Sequence, residues 1–337
     1  MLYPPIRLVE GLFMYIQADT IDDLLRATFE TILLEGERVA PSKGPNKELF
    51  GVVLELTKPL ARVSRTEMKG RLYSALGELF WYLAGSDNLA FIQYYLGKDG
   101  YGSDDGKTVW GAYGPRIFNM RNTTNQITSV RSLLSSKTRS PSRKAVIQLF
   151  NAEDISQQHA DVPCTCTLQF LVRNTGLDMF VCMRSNDAYR GLPHDVFAFT
   201  MIQELLARDL GLPIGRYKHA AASLHLYESD EAKVGEFMNE AWQDIVEMPP
   251  MPDGDPWKSI EILKFAEEQI RHGNDIDIDS LSLKGYWSDL CRLLQVYSLT
   301  KQCTTDNRAK VETLMKQMSS DFFRPYISDR VNRLGSR

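Results

Sequence analysis

The chain has 337 residues, 39 lysines and arginines against 43 aspartates and glutamates, a formal net charge of −4, and 43% hydrophobic residues. That length supports one large hydrophobic core, or a core with an appendage. The mild acidity argues against a dedicated nucleic-acid binder, though not against a small anionic substrate held by a local basic cluster, and no apolar run reaches membrane-spanning length.

The opening, Met1–Pro5, lacks the basic-then-apolar layout of a signal peptide. Five cysteines fit neither an even disulfide framework nor metal-ligand spacing, so the expectation is a reducing cytoplasm and no metal. Thr20–Glu35 reads as an amphipathic helix, with Leu24, Leu25, Phe29 and Leu33 at helical spacing. A breaker-rich loop over Pro41–Asn46 leads into a strand at Phe50–Leu56, then a helix over Thr66–Leu83 that ends at Gly85-Ser-Asp-Asn88. Lys98–Gly106 is a Gly/Asp-rich loop.

Lys144–Asn151, Thr167–Arg173 and Leu177–Met183 are β-rich, with Asn174-Thr-Gly176 as a hairpin turn between the last two. Val196–Leu210 is a long apolar helix with Gly211 as its C-cap, and Ser223–Tyr227 is another strand. The character changes near residue 236. Pro249–Pro256 reads as a linker, and Trp257–His272, Ser280–Leu299 and Arg308–Asp321 as helices. The expected organisation is a catalytic unit over residues 1–235, followed by a linker and helical C-terminal extension over 236–337.

Taken alone, Cys164 reads as a buried small apolar residue entering a strand. Arg184 and Ser185 close a neighbouring strand, and Arg143 and Lys144 open another. Arginine offers a planar fork to phosphate, serine adds a donor, and nearby cations favour a thiolate nucleophile. Solvated strand ends are at least as good an account of Arg143, Lys144 and Arg184 from spacing alone. Asp195 reads equally as an N-cap for the helix beginning at Val196.

The order of motifs decides. Gly77-Glu-Leu-Phe-Trp-Tyr-Leu-Ala-Gly85 is followed by Tyr113-Gly114, Ser142-Arg-Lys144, Pro163-Cys164, Gln169-Phe170, Arg184-Ser-Asn-Asp187, Gly191-Leu-Pro-His-Asp195 and His225-Leu-Tyr227. This series resembles the thymidylate synthase family. The resemblance implies an α/β fold with a large twisted mixed sheet flanked by helices, paired back to back in a homodimer. It implies Cys164 as the nucleophile toward carbon 6 of a pyrimidine, Glu78 organising water and proton transfer, and Arg184 and Ser185 on the 5′-phosphate. Arg143 and Lys144 would reach the partner's phosphate site, His225 and Tyr227 the sugar, and Asp187 the pterin of 5,10-methylenetetrahydrofolate.

Several positions depart from the family pattern. Lys43 stands for an early-loop arginine, Thr165 for the histidine after the nucleophile, and Lys144 for the second cross-dimer arginine. The tryptophan-rich folate segment is altered around Gly97–Asp105, with Trp110 close by, and Asn332–Arg337 does not match the family's short apolar C-terminus. The family normally carries Asn at Asp195. An amide fits the donor and acceptor of uracil; cytosine reverses that pattern, and a carboxyl that accepts from its amine and shares a proton with its ring nitrogen fits it. Relatives with Asp here are the cytidylate and deoxycytidylate hydroxymethylases. The expected activity is therefore 5-hydroxymethylation of CMP or dCMP, with water capturing the methylene. The alternatives are a methyltransferase acting on dUMP or dCMP and a family-shaped binding protein.

Overall fold

The computed structural model describes residues 14–98, 100–135, 142–283, 285–301 and 304–335; Met1–Pro5, Cys303 and the last two residues of the chain lie outside them. Among the described residues, eight strands form one mixed sheet: β1 (Met14–Ala18), β2 (Glu37–Val39), β3 (Asn46–Leu56), β4 (Val146–Gln148), β5 (Thr165–Arg173), β6 (Gly176–Met183), β7 (Asn186–Asp187) and β8 (Ile214–Tyr227). The order is β1-β3-β8-β6-β5-β4, with β2 beside β3 and β7 beside β8. The β1–β3 and β6–β8 pairs are parallel, whereas β3–β8, β5–β6 and β4–β5 are antiparallel.

Eleven helices over the described residues flank this sheet: α1 (Ile21–Glu35), α2 (Leu72–Leu83), α3 (Leu89–Leu96), α4 (Tyr113–Phe118), α5 (Gln126–Leu134), α6 (Leu192–Asp209), α7 (Glu231–Asn239), α8 (Trp257–Arg271), α9 (Tyr286–Leu299), α10 (Thr305–Gln317) and α11 (Arg324–Gly335). The first helix starts where the sequence puts it, because Thr20 caps it by accepting from the Asp23 amide. The long sheet strands start earlier than their apolar runs: β3 takes in Asn46–Leu49, and β8 begins at Ile214. Partner strands supply the ladder bonds that polar residues do not advertise. The expected strand at Lys144–Asn151 shrinks to three residues, and the helix expected from Thr66 begins at Leu72, after the turns around Gly70.

One face of the sheet is buried, through Leu168 and Phe170, Val181, and Tyr217, His219 and Ala221. The alternate residues Gln169, Leu171, Phe180, Cys182, Lys218 and Ala220 are only half-buried. Helices α1 and α6 pack on the sheet, and α2 packs on α6. Gly77 lets α2 approach α3 closely, since a methyl group at that position would overlap the ring of Tyr95. The far side of α2 is covered by α8 and α9. Tyr95 donates to Glu267 (2.8 Å), and Tyr297 donates to the carbonyls of Tyr94 (2.9 Å) and Tyr95 (3.1 Å).

The stretch expected as a linker has no helix or strand, yet it is pinned. Met248 and Met251 are buried, the Met248 amide donates to Leu60 (2.8 Å), and the Met251 amide donates to Glu204 (2.7 Å). The expected boundary near residue 236 therefore runs through a continuous core.

Glu204 also forms an ion pair with Arg62, and both side chains are fully buried. Removing one partner of such a pair leaves an uncompensated charge in a dry interior. Glu204→Ala should lower the unfolding free energy by about 3–5 kcal/mol in urea titrations, whereas replacing both residues with apolar side chains of similar volume should cost far less.

Candidate active site

Sheet topology gathers the predicted residues at one end. Antiparallel pairing sets the start of β5 beside the end of β6, and parallel pairing adds the end of β8. Cys164, just before β5, thus meets Arg184, which Ser185 follows just after β6, and lies within electrostatic reach of Tyr227, which with His225 ends β8. The short β7 pairs Asn186 with Leu224 and Asp187 with His225. The β5–β6 register is irregular between Thr165 and Thr167, and such a bulge re-aims the chain next to it, here at Cys164. Thr165 itself is buried and donates to the hydroxyl of Tyr113 (2.9 Å).

Arg184 braces the loop that carries Cys164. Its Nε donates to the Pro163 carbonyl (2.9 Å), and its Nη2 donates to the Val162 carbonyl (2.9 Å) and lies 3.7 Å from Cys164 Sγ. The expectation that cations favour the thiolate needs correction. Burial pushes the Cys164 thiol above its ordinary value; Arg184 and Lys43 pull it down, but Asp195 and Asp161 push the other way. Lys43 is exposed, yet its charge reaches Cys164, Asp161 and His225, which places it at the mouth of this cluster.

Two acidic side chains, Glu78 on α2 and Asp195 in the first turn of α6, lie within electrostatic reach of each other. Asp195 is not an N-cap: the helix starts at Leu192 and Gly191 occupies the cap, so the capping account of this residue falls. Glu78 is saturated with donors. Tyr82 (3.0 Å) and Tyr101 (2.5 Å) donate to Oε1, and Oε2 lies 2.7 Å from Nδ1 of His194. Burial alone would raise the Glu78 carboxyl, but these partners outweigh it and hold it below the ordinary carboxylate value. Asp195 takes the opposite course. Burial, then the charge of Glu78, push it well above the ordinary range, against a single donation from Asn186 Nδ2 (2.7 Å).

The sequence gives no role to His194, Tyr82, Tyr101, Asn186 or Asp161. Only Tyr82 left a direct signal, lying one helical turn after Glu78. Asp187 uses Oδ1 as a turn acceptor for the amides of Tyr189 and Arg190 (both 2.8 Å). The rings of His225 and Tyr227 meet edge to face at 5.1 Å, and burial pushes His225 toward the neutral imidazole. Arg143 and Lys144 are not brought into the cluster; they are exposed at the start of the edge strand β4, and no hydrogen bond or ion pair ties their side chains to Cys164 or Arg184 among the described residues. Trp110 stacks on His159 (4.0 Å between ring centres) and donates to Asp154 (2.8 Å). No group of three or more His, Cys, Asp or Glu placed to hold a metal ion occurs among the described residues.

The family model described as thymidylate synthase matches residues 50–289, and the chain belongs to the thymidylate synthase family. The chain is 31% identical over 226 residues to a deoxyuridylate hydroxymethyltransferase of Bacillus phage SP01, a match covering 63% of this chain and 58% of that protein. It is 28% identical over 209 residues to a protein of the same name from Delftia phage PhiW-14, covering 58% of this chain and 57% of that protein. The matched part thus spans less than two thirds of either relative.

Asp161 offers a clean electrostatic test. Burial pushes its carboxyl up to about 6, and Lys43 and Arg184 act on it. Above that pH it is an anion beside the cations expected to meet a phosphate. Asp161→Asn should therefore lower the KM for a nucleotide at pH 8 and change little at pH 5. Taking the ratio of wild type to variant at each pH cancels the phosphate's own titration near pH 6.

Proposed function

We propose that this protein is a pyrimidine nucleotide 5-hydroxymethyltransferase acting on CMP or dCMP, with 5,10-methylenetetrahydrofolate as co-substrate and a covalent adduct at Cys164. The observation that carries the substrate reading is Asp195, a carboxyl that burial and Glu78 drive toward its neutral form. A neutral carboxyl accepts from the exocyclic amine of cytosine through one oxygen and donates to the ring nitrogen through the other. The reaction type is supported by family membership and by the names of the two phage relatives.

The residues fit a reduced folate. Asp187 Oδ2 has no donor among the described residues, which suits the N–H groups of a pterin. The charges of Arg71, Asp187, Asp230 and Lys233 all reach Lys69, and the exposed Arg71 and Lys233 suit an anionic tail. The co-substrate supplies the one-carbon unit at the oxidation level of formaldehyde. Lys43, Arg184 and Ser185 hold the phosphate, and His225 and Tyr227 the sugar. Cys164 Sγ adds to carbon 6 of the ring, and the electron pair released toward carbon 5 makes that carbon the nucleophile. Once carbon 5 is bonded to the one-carbon unit, loss of the carbon 5 proton and departure of the folate amine, as tetrahydrofolate, leave an exocyclic methylene, and water adds to it. Glu78 and His194, hydrogen-bonded to each other, are placed to take the water's proton. The pair pushed into the ring then expels Cys164 as thiolate and restores the carbon 5–carbon 6 double bond. The engagement of Trp110 with His159 and Asp154 leaves the folate side without the family's tryptophan packing, which favours water.

A second reading, hydroxymethylation of dUMP, is favoured by the relatives' names, and a neutral Asp195 can also pair with uracil. The open sheet face supports the homodimer: Tyr15, Phe50 and Val146 stand 44%, 88% and 38% exposed on its strands. A second copy there would let Arg143 and Lys144 serve the partner's site. In light scattering, the wild type should have twice the mass of a Phe50→Arg variant.

The deciding measurement is mass spectrometry of product from CMP, dCMP and dUMP incubated in parallel with methylenetetrahydrofolate. The expected result is a gain of one CH₂O unit on a cytidine nucleotide, abolished by Cys164→Ala. Asp195→Asn should move the preference toward dUMP by roughly tenfold to a hundredfold in kcat/KM. A methylated product, or wild-type preference for dUMP, would sink this reading.

A further inference from the structure

Asn186 is 3% exposed and lies two residues after Arg184, whose guanidinium reaches the Cys164 sulfur. Its Nδ2 donates to Asp195 Oδ2 at 2.7 Å. Its other amide atom, Oδ1, is buried with no partner among the described residues. Space around the pair is tight: a methyl group at Gly191 would sit 3.2 Å from Asn186 Nδ2 and 3.5 Å from Asp195 Oδ2. The donation from Nδ2 marks Asp195 Oδ2 as an acceptor, so the proton of a neutral carboxyl belongs on Oδ1. That arrangement alone does not discriminate, since an acid group with one donor and one acceptor pairs with either pyrimidine edge. The unpaired Asn186 Oδ1 breaks the tie.

We propose that Asn186 is the specificity-determining partner of Asp195, its Oδ1 accepting the second hydrogen of an exocyclic amine on the bound base. The amine at carbon 4 of cytosine carries two hydrogens, one for Asp195 Oδ2 and one for Asn186 Oδ1. The carbonyl of uracil at the same place brings only lone pairs against that oxygen and leaves it unsatisfied in a buried site. The rejection is thus built from a clash of acceptors rather than from loss of fit. This inference rests on the cytidylate reading.

The test is titration calorimetry of dCMP and dUMP against wild type, Asn186→Leu and Asn186→Ala, with kcat/KM for both nucleotides measured alongside. Removing Oδ1 should cut the dCMP-to-dUMP preference by about tenfold or more, with most of the change in weaker dCMP binding. Asn186→Ser, which keeps an oxygen acceptor, should recover part of the preference. A purely structural role would weaken both nucleotides by the same factor. That outcome, in whichever of the Leu and Ala variants keeps a cooperative melt, would overturn the assignment of Asn186 while leaving a dCMP-preferring wild type in place. A wild type that prefers dUMP would overturn the cytidylate reading, and this inference with it.

Discussion

Two carboxyl groups lie within electrostatic reach of each other in a largely desolvated cluster, and ionising both is costly. The protein resolves this by unequal solvation. Glu78 receives two tyrosine hydroxyls and faces a histidine nitrogen, so it holds the negative charge. Asp195 receives one amide hydrogen and also senses the charge of Glu78, so it is the group driven toward neutrality. Groups whose environments push their affinities for protons apart are well suited to different tasks. In the proposed reaction the charged one handles the proton and the neutral one reads the base.

That arrangement depends on packing some distance away. Glu78 sits on α2, which lies against α6 on one side and α8 and α9 on the other. Close approach of α2 to α3 requires Gly77, and Tyr95, which fills that space, is tied through Glu267 to Arg271. The helices after residue 256 therefore complete the wall behind Glu78.

The sequence made the linear parts of this picture legible. The helix at α1, the hairpin between β5 and β6, and the motif order around Cys164, Arg184 and Asp195 were all readable, because each depends on local periodicity, turn chemistry or family pattern. What escaped were groups defined by crossings. Tyr101 reaches Glu78 from a loop, His194 from the start of another helix, and Asn186 reaches Asp195 from a two-residue strand. Those contacts depend on how the helices seat on the sheet, and no spacing in the chain encodes them. The raised thiol of Cys164 escaped for a related reason. Charges can be counted in a sequence, but the depth of burial that outweighs them cannot.

Burial also ties base recognition to the proposed nucleophile. An ionised Asp195 raises the Cys164 thiol, as Asp161 does. Whatever keeps Asp195 neutral therefore relieves Cys164 of one of the two anions that oppose thiolate formation. A base that accepts a hydrogen bond from the protonated Asp195 fixes the carboxyl in its neutral, least repulsive state, and a base that leaves Asp195 ionised does not. The coupling must be reciprocal, since a thiolate at Cys164 in turn favours the protonated carboxyl. In the proposed reaction, selectivity at the base edge and readiness of the sulfur are two readings of one proton's position, held between α6 and β7 by Asn186.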